Sequence, residues 1–289
     1  MPAASGTYTV GARLLDRAGN SAIVSTTVEL ALPYIPAPTP APHAEGVDLL
    51  HSMIAEVAQG EAIAGMGAAI GGPLDAVRGI VSPLHQPTWR DVPLKEIMEA
   101  RWGCPFAVDV DTNVAALGEY TLAELSTPRF LYITLSTGMG GGFLLDGAIY
   151  HGAGGAHPEV GHQAIPFRCA HPERVACLCG APDCLEALIS GTAIRRIYGK
   201  PAEELSEAEW GEVGYNLGQG LRNIAALYTP DLIVLGGGVA VGGGSRLLGS
   251  ARAVLETHLR LVPAPALRIS QLGYDTALLG ALALAQRVG

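Results

Sequence analysis

Charge is scarce in this sequence, and so are aromatic side chains: 16% of its 289 residues are charged and 6% are aromatic. Basic residues are the scarcer sign. There are 18 Lys and Arg against 27 Asp and Glu, a formal net charge of −9, and so no general basic surface for a phosphate backbone. Long apolar runs are missing too, because glycine, proline or a charge interrupts every candidate before about 18 residues. The opening MPAASGTYTV lacks the charged-then-apolar layout of a secretory leader. No repeat is legible at a period of about 20 to 50 residues. From these absences we expect a soluble cytoplasmic protein with no nucleic-acid and no membrane partner.

What is abundant is apolar and glycine content. The chain is 49% hydrophobic, with 38 Gly and 20 Pro, which excludes bulk disorder. Its length suffices for one large domain or two of ordinary size. The glycines are not periodic but clustered, as where backbone must lie close to a ligand. Of the 5 Cys, three crowd together as Cys177, Cys179 and Cys184, poor spacing for a disulfide framework and good spacing for a metal.

Strand and helix signals alternate in blocks. TYTVGARLLD and SAIVSTTVEL, joined by Ala18-Gly19-Asn20, predict a hairpin, and ALPYIPAPTPAPH predicts a loop or extended connector. Val47, Leu50, Ile54 and Val57 repeat at helical spacing. A short buried strand is expected in EAIAGMGAAIGGPLD, a helix in LKEIMEARW and another buried strand in PFAVDV. TNVAALGEYTLAEL predicts a helix capped by Thr112 or Asn113. RFLYITLSTGMGGGFLLDGAIY reads as strand, glycine turn, strand. An irregular cysteine-rich stretch follows, then helices to residue 228, a strand in PDLIVLGGGVA and a final Ala/Leu helix. The class is α/β with two domains.

Five stretches could carry chemistry. STGMGGG at Ser136–Gly142 could aim turn N–H groups at a phosphate, with Thr134, Ser136 and Thr137 adding hydroxyls, or be a bare glycine hairpin. No Lys follows, so it is not a Walker A loop. LGGGVA at Leu235–Ala240 could let a nucleotide lie across a sheet edge, or be a plain strand-to-helix turn. In DVDTN, Asp111 could accept a hydroxyl proton at a strand end or simply cap the next helix. HPEVGH offers Glu159 and His162 to a polyol, or is a pair of surface histidines. Cys177, Cys179 and Cys184 with His162 make a closed tetrahedral zinc set of the structural kind; the alternative is three buried or redox thiols. Cys104 and Cys169 are spare.

Together, and in this order, these stretches resemble the ROK family (repressor, open reading frame, kinase). YITLSTGMGGGFLLDGAIYHG resembles its second phosphate motif, PEVGH its sugar and zinc signature, CLCGAPDCLEALISG its zinc segment, and DLIVLGGGV its adenosine-side motif. The resemblance implies an actin-like (ribonuclease H-like) ATPase fold, two lobes with a cleft between them. It places a small α/β lobe at residues 1–111, completed by the C-terminal helix 275–289, and a large lobe with the zinc segment at 112–274. It implies an ATP-dependent kinase for the 6-hydroxyl of a hexose, homodimeric, with Mg²⁺ on the phosphates and structural Zn²⁺. Asp111 would be the general base; Glu159, His162 and Glu186 would bind sugar hydroxyls. Gly6, Thr7, Thr137, Gly138, Gly140 and Gly237 would line ATP, and His162, Cys177, Cys179 and Cys184 would hold zinc.

Val110 stands where the family's glucokinases carry Asn. DVDTN, HPEVGH and GKPAEEL look like its fructokinases, whereas the CLCG segment looks like its glucokinases, so glucose and fructose are not separated, nor ATP from polyphosphate. The family's repressors carry a helix-turn-helix ahead of the kinase-like region; none precedes the motifs here, so the alternative is a sugar-binding sensor without DNA binding. The family also begins with a strand ending D-x-G-G-T, of which Ser5-Gly6-Thr7 remains, with Ala3 at the Asp position. We expect the start to be placed too late. Kinase activity should then be weak or absent and return when an upstream D-x-G-G-T strand is supplied. Full ATP-dependent turnover by the chain as written would contradict this.

Overall fold

The computed structural model describes the strand residues 6–15 and 21–30 and residues 42–289. The chain forms two compact units, Met1–Ala62 and Ile63–Gly289. In the first, β1 (Gly6–Leu15) and β2 (Ser21–Leu30) pair antiparallel, Gly6 opposite Leu30 and Leu15 opposite Ser21, as the β-rich pattern predicts. The turn residues between them, Ala3 and the proline-rich segment up to residue 41 lie outside the described residues. Helix α1 (His43–Ala58) carries the predicted apolar repeat and ends at Gln59 in the left-handed conformation.

The second unit opens with β3 (Met66–Ile70), followed by a small antiparallel sheet of β4 (Leu74–Asp75), β5 (Ile80–Val81) and β6 (Val92–Pro93). Next come α2 (Leu94–Trp102) and β7 (Phe106–Val110), which pairs parallel with β3. Then α3 (Asp111–Leu122) leads to β8 (Arg129–Leu135), β9 (Met139–Leu145) and β10 (Ala148–Ile149). Irregular chain with short 3-10 turns runs to α4 (Glu186–Ile189), α5 (Gly191–Tyr198) and α6 (Glu207–Tyr228). The chain closes with β11 (Leu232–Gly236), α7 (Gly238–His258), β12 (Ala266–Ile269) and α8 (Thr276–Gln286).

The main sheet has the order β10-β9-β8-β11-β12, antiparallel through β9 and parallel across β8, β11 and β12. Its central strands are apolar on both faces, as strands covered on two sides must be. Alternate residues of β8 serve opposite layers. Leu131, Ile133 and Leu135 enter one core with Trp210, Leu217 and Leu221 of α6 and Leu247 and Ala251 of α7. Phe130 and Tyr132 enter the other with Ala115, Ala116 and Leu117 of α3 and Ala283 of α8. Helix α6 starts on a capping box, Ser206 with Glu209.

Two expectations are corrected. Neither Thr112 nor Asn113 caps α3: β7 runs directly into the helix, Val110 occupies the cap position with no side-chain bond, and both polar residues are buried in the first turn. The strand expected to be buried at Met66–Ile70 is only half-buried throughout; among the described residues β7 is its one strand partner. Among the described residues no helix is long and apolar enough to cross a membrane.

Helices α3 and α8 touch backbone to backbone. A Cβ at Gly118 would lie 2.7 Å from the Thr276 carbonyl oxygen, and one at Gly280 would run into the Val114 carbonyl. Neither helix can yield without disturbing the sheet beneath α3, so Gly280→Ala should cost about 1–3 kcal/mol. By contrast, Gly249 is exposed inside α7 with nothing within 4 Å of an added Cβ. Gly249→Ala should therefore stabilise by about 0.5–1 kcal/mol. Urea denaturation of both variants measures the two opposite signs.

Candidate active site and metal centre

Strand β7 brings Asp109 and Val110 to its end, and the chain turns into α3 at Asp111. Asp111 Oδ1 accepts the Thr112 backbone N–H at 2.8 Å. The residue is exposed to water, yet protein crowds its carboxyl closely enough that desolvation raises its pKa above the usual 3.8. The Thr112 N–H and His157 pull it down, and the negative Glu159 pushes it up. Asp109, in contrast, is buried. Its Oδ1 accepts from the Val110 N–H at 2.7 Å and from Asn113 Nδ2 at 2.9 Å, and its Oδ2 lies 2.8 Å from His151 Nε2. Sequence reasoning missed this pair. The D-x-D-x-N pattern signalled Asp109 and Asn113, but nothing pointed to a histidine 42 positions on.

The glycine turn between β8 and β9 is shorter than expected. It is confined to Ser136–Gly138, where the Ser136 N–H bonds the Gly138 carbonyl at 3.0 Å, and Gly140, Gly141 and Gly142 lie inside β9. Their lack of side chains has a packing reason. A Cβ at Gly140 would lie 2.6 Å from the Thr112 methyl, one at Gly141 2.7 Å from Val160, and one at Gly142 would meet the Thr112 carbonyl. The turn rests on the start of α5: the Gly191 and Thr192 N–H groups donate to the Ser136 and Thr137 carbonyls at 2.7 and 3.2 Å. Glu186 Oε2 accepts the Met139 N–H at 2.8 Å, and a Cβ on Gly138 would sit 3.0 Å from that oxygen.

Gly237 adopts φ 85° at the β11–α7 junction, and a Cβ there would meet the Leu135 carbonyl and lie 2.9 Å from Thr134 Oγ1. Conformation and space both demand glycine. Helix α7 begins next to it without a side-chain cap, and Val239 packs against Gly191 at the start of α5. The uncapped start of α7 thus lies beside the Leu135 end of β8, where its positive end suits a phosphate group. The first N–H groups of α5, in contrast, are taken by the Ser136 and Thr137 carbonyls and by Ser190. Gly6 and Thr7 lie in β1, whose side chains are outside the described set.

The turn His157–His162 faces these elements. Gly161 is pressed on Met139 and Glu186, with a Cβ position 2.8 Å from the Met139 carbonyl oxygen and 3.3 Å from Glu186 Cβ. Glu159 stands between two imidazoles, 3.5 Å from His157 Nε2 and 3.9 Å from His162 Nε2. His162 turns its other nitrogen, Nδ1, to Cys177 Sγ at 3.4 Å, while Cys179 and Cys184 sulfurs lie 3.3 Å apart. All four donor atoms fall within 4.8 Å of one another. A disulfide needs about 2.05 Å, so these are separate thiols. Zn–S bonds of about 2.3 Å in a tetrahedron put sulfurs about 3.8 Å apart, close to what is found. The Ala181 backbone N–H, first among several groups, holds the Cys179 thiol down to about 7, so a thiolate is available near neutral pH. Cys104 and Cys169 stand outside this set.

The structure therefore brings Asp111, Gly138, Glu159, His162 and Glu186 into one neighbourhood, with the cysteines behind His162 and Gly237 beside the phosphate turn. The sequence profile of the ROK family matches residues 21–288. A fructokinase from Zymomonas mobilis is 36% identical over 192 residues, 62% of this chain and 62% of that protein, so the match spans under two thirds of that relative's length. A ROK hexokinase from Thermus thermophilus superposes with a TM-score of 0.73 at 31% identity, covering 87% of this chain and 89% of that one. A ROK glucokinase from Streptomyces griseus, solved with glucose and AMPPNP, gives 0.68 at 26% identity over 98% and 97%. The fold is the actin-like ATPase fold that the motif order implied.

The raised Asp111 pKa has a sign that can be tested. The folded chain holds this proton more tightly than the unfolded one, so stability falls as pH rises from 3.8 through the raised value. Asp111→Asn removes that loss. The variant should be at least as stable as the parent at neutral pH, with its advantage fading as the pH falls to the usual aspartate value. Thermal unfolding of both proteins across that range measures it.

Proposed function

The chain belongs to the ROK family, and on that premise we propose that it is an ATP-dependent hexose kinase acting on the 6-hydroxyl of glucose or fructose. The observation that carries this is the placement of Asp111. Its carboxylate, with a pKa moved toward neutrality, opens to water beside the polyol-binding groups Glu159 and His162, while the Ser136–Gly138 turn borders Glu186. A base tuned upward takes a hydroxyl proton more readily. Phosphoryl transfer asks for little else than positioning and charge stabilisation.

In this reading Asp111 accepts the proton of the sugar 6-hydroxyl and aims its oxygen at the γ-phosphate. Glu159, His162 and Glu186 hold the other hydroxyls and fix the sugar's orientation. Thr137, Gly138 and Gly140 border the phosphates and Gly237 the adenosine side. Mg²⁺ accompanying ATP would neutralise phosphate charge. His162, Cys177, Cys179 and Cys184 would hold Zn²⁺, a closed set that fastens the His157–His162 turn. The lobe division at 111/112 belongs to the same reading, with α8, which packs on β3, completing the small lobe. The cytoplasmic, homodimeric state belongs to the same reading.

The test is a coupled assay with glucose, fructose, mannose and N-acetylmannosamine, each with ATP and with polyphosphate. It is run on the chain as given and with an upstream D-x-G-G-T strand supplied. Asp111→Asn should lower kcat by about 10²–10⁴-fold while sugar binding survives. Sugar binding with no transfer in the extended parent chain would favour the sensor instead. Metal analysis should find Zn²⁺ in the purified protein and its loss in Cys184→Ser. That variant should also weaken sugar binding, because His162 and the turn carrying Glu159 lose their anchor.

A further inference from the structure

His157 lies outside the residues assigned above to sugar, phosphate and metal, and it occupies a particular place. Its side chain is 16% exposed, with Nε2 3.5 Å from Glu159 Oε1. Its Cε1 lies 3.8 Å from the position a Cβ on Gly72 would take, and Val110 Cγ2 lies 3.6 Å from that same position. Val110 and His157 thus flank one spot on the Gly72 loop, next to Asp111 on one side and Glu159 on the other.

The donor balance of the site gives this placement meaning. Asp111, Glu159 and Glu186 are carboxylates, which when ionised only accept hydrogen bonds. A sugar hydroxyl both gives and accepts, and a polyol surrounded by acceptors alone leaves its own oxygens unserved. His162 has committed Nδ1 to the thiols and has Nε2 left. Val110 is buried and apolar, so the end of β7 offers no side-chain donor beside Asp111. His157 supplies one. At 3.5 Å its approach to Glu159 is too long to be a tight bond, so a hydroxyl could take the imidazole N–H and give its proton to the carboxylate.

We propose that His157 contacts the sugar and, opposite the apolar Val110, selects which hexose the site accepts by hydrogen bonding a hydroxyl other than the one Asp111 deprotonates. This rests on the hexose kinase reading. The hexose held best should be the one that presents a hydroxyl to His157 while leaving a hydrogen-bearing carbon against Val110.

Calorimetric titration with glucose, fructose and mannose tests this without relying on turnover. His157→Ala should weaken binding of the preferred hexose about tenfold, the worth of one hydrogen bond, and level the differences between hexoses. AMPPNP affinity and zinc content should stay at parental values. His157→Gln keeps a donor and should recover most of the loss; His157→Leu fills the volume without a donor and should not, and it serves if the alanine variant fails to fold. Parental hexose affinities and ranking in the alanine or leucine variant would overturn the proposal and leave the kinase reading standing. Failure of the unmutated chain to bind any of the hexoses would overturn both. Equal loss of hexose and AMPPNP binding would mean that His157 only supports the fold, and would overturn the proposal as well.

Discussion

Helix α3 lies on β9 at backbone distance, because residues 140 and 142 have no side chains to hold it off. Much of the site depends on that approach. It sets the first turn of α3 against the strand that follows the Ser136–Gly138 turn, and so brings Asp111 into the neighbourhood of Glu186 and Glu159. Gly118 and Gly280 repeat the device on the other side of α3, where α8 seats with carbonyls in van der Waals contact. A helix held on both sides at this distance has little freedom to slide, and the carboxylate at its start inherits that rigidity.

Electrostatics works against the fold at the same place. Asp111 is desolvated and repelled by Glu159, and further along α3 the buried Glu119 is also raised by desolvation, relieved in part by a hydrogen bond from Ser270. Behind the Gly236–Gly237 turn, burial and the Glu119 charge push the Tyr132 hydroxyl up to about 12, and a side chain at Gly236 would collide with it. Carboxylates are kept here at a cost in stability, as is usual where a protein needs acid–base chemistry. In the proposed reading, zinc held by the thiol and imidazole cluster would offset part of that cost by tying the irregular stretch to His162.

Much of the fold was legible along the chain. The β1–β2 hairpin, the apolar strands β8 and β11, the helices α2 and α6 and the start of α7 follow from local periodicity and turn chemistry, which act over a few residues. The Cys177, Cys179, Cys184 and His162 set was legible because ligand spacing is itself a local property. The start of α3 was not. Thr112 and Asn113 are good caps in isolation, but packing against β9 buried them and moved the start to Asp111. The glycines misled in the same way: only part of the STGMGGG stretch makes the turn, and the rest makes room for a helix more than twenty positions earlier in the chain.

By itself, then, the sequence determined the class of fold, the order of its longer strands and helices, the candidate Cys/His cluster and the family, because each is written in spacing and composition. Tertiary structure alone decided which nitrogen of His162 faces the thiols, that Asp109 pairs with His151, and that His157 and Val110 share a wall at Gly72. It also turned Asp111 into a carboxyl with a raised pKa. Those properties depend on distances and desolvation between segments tens of residues apart, and no local pattern encodes them.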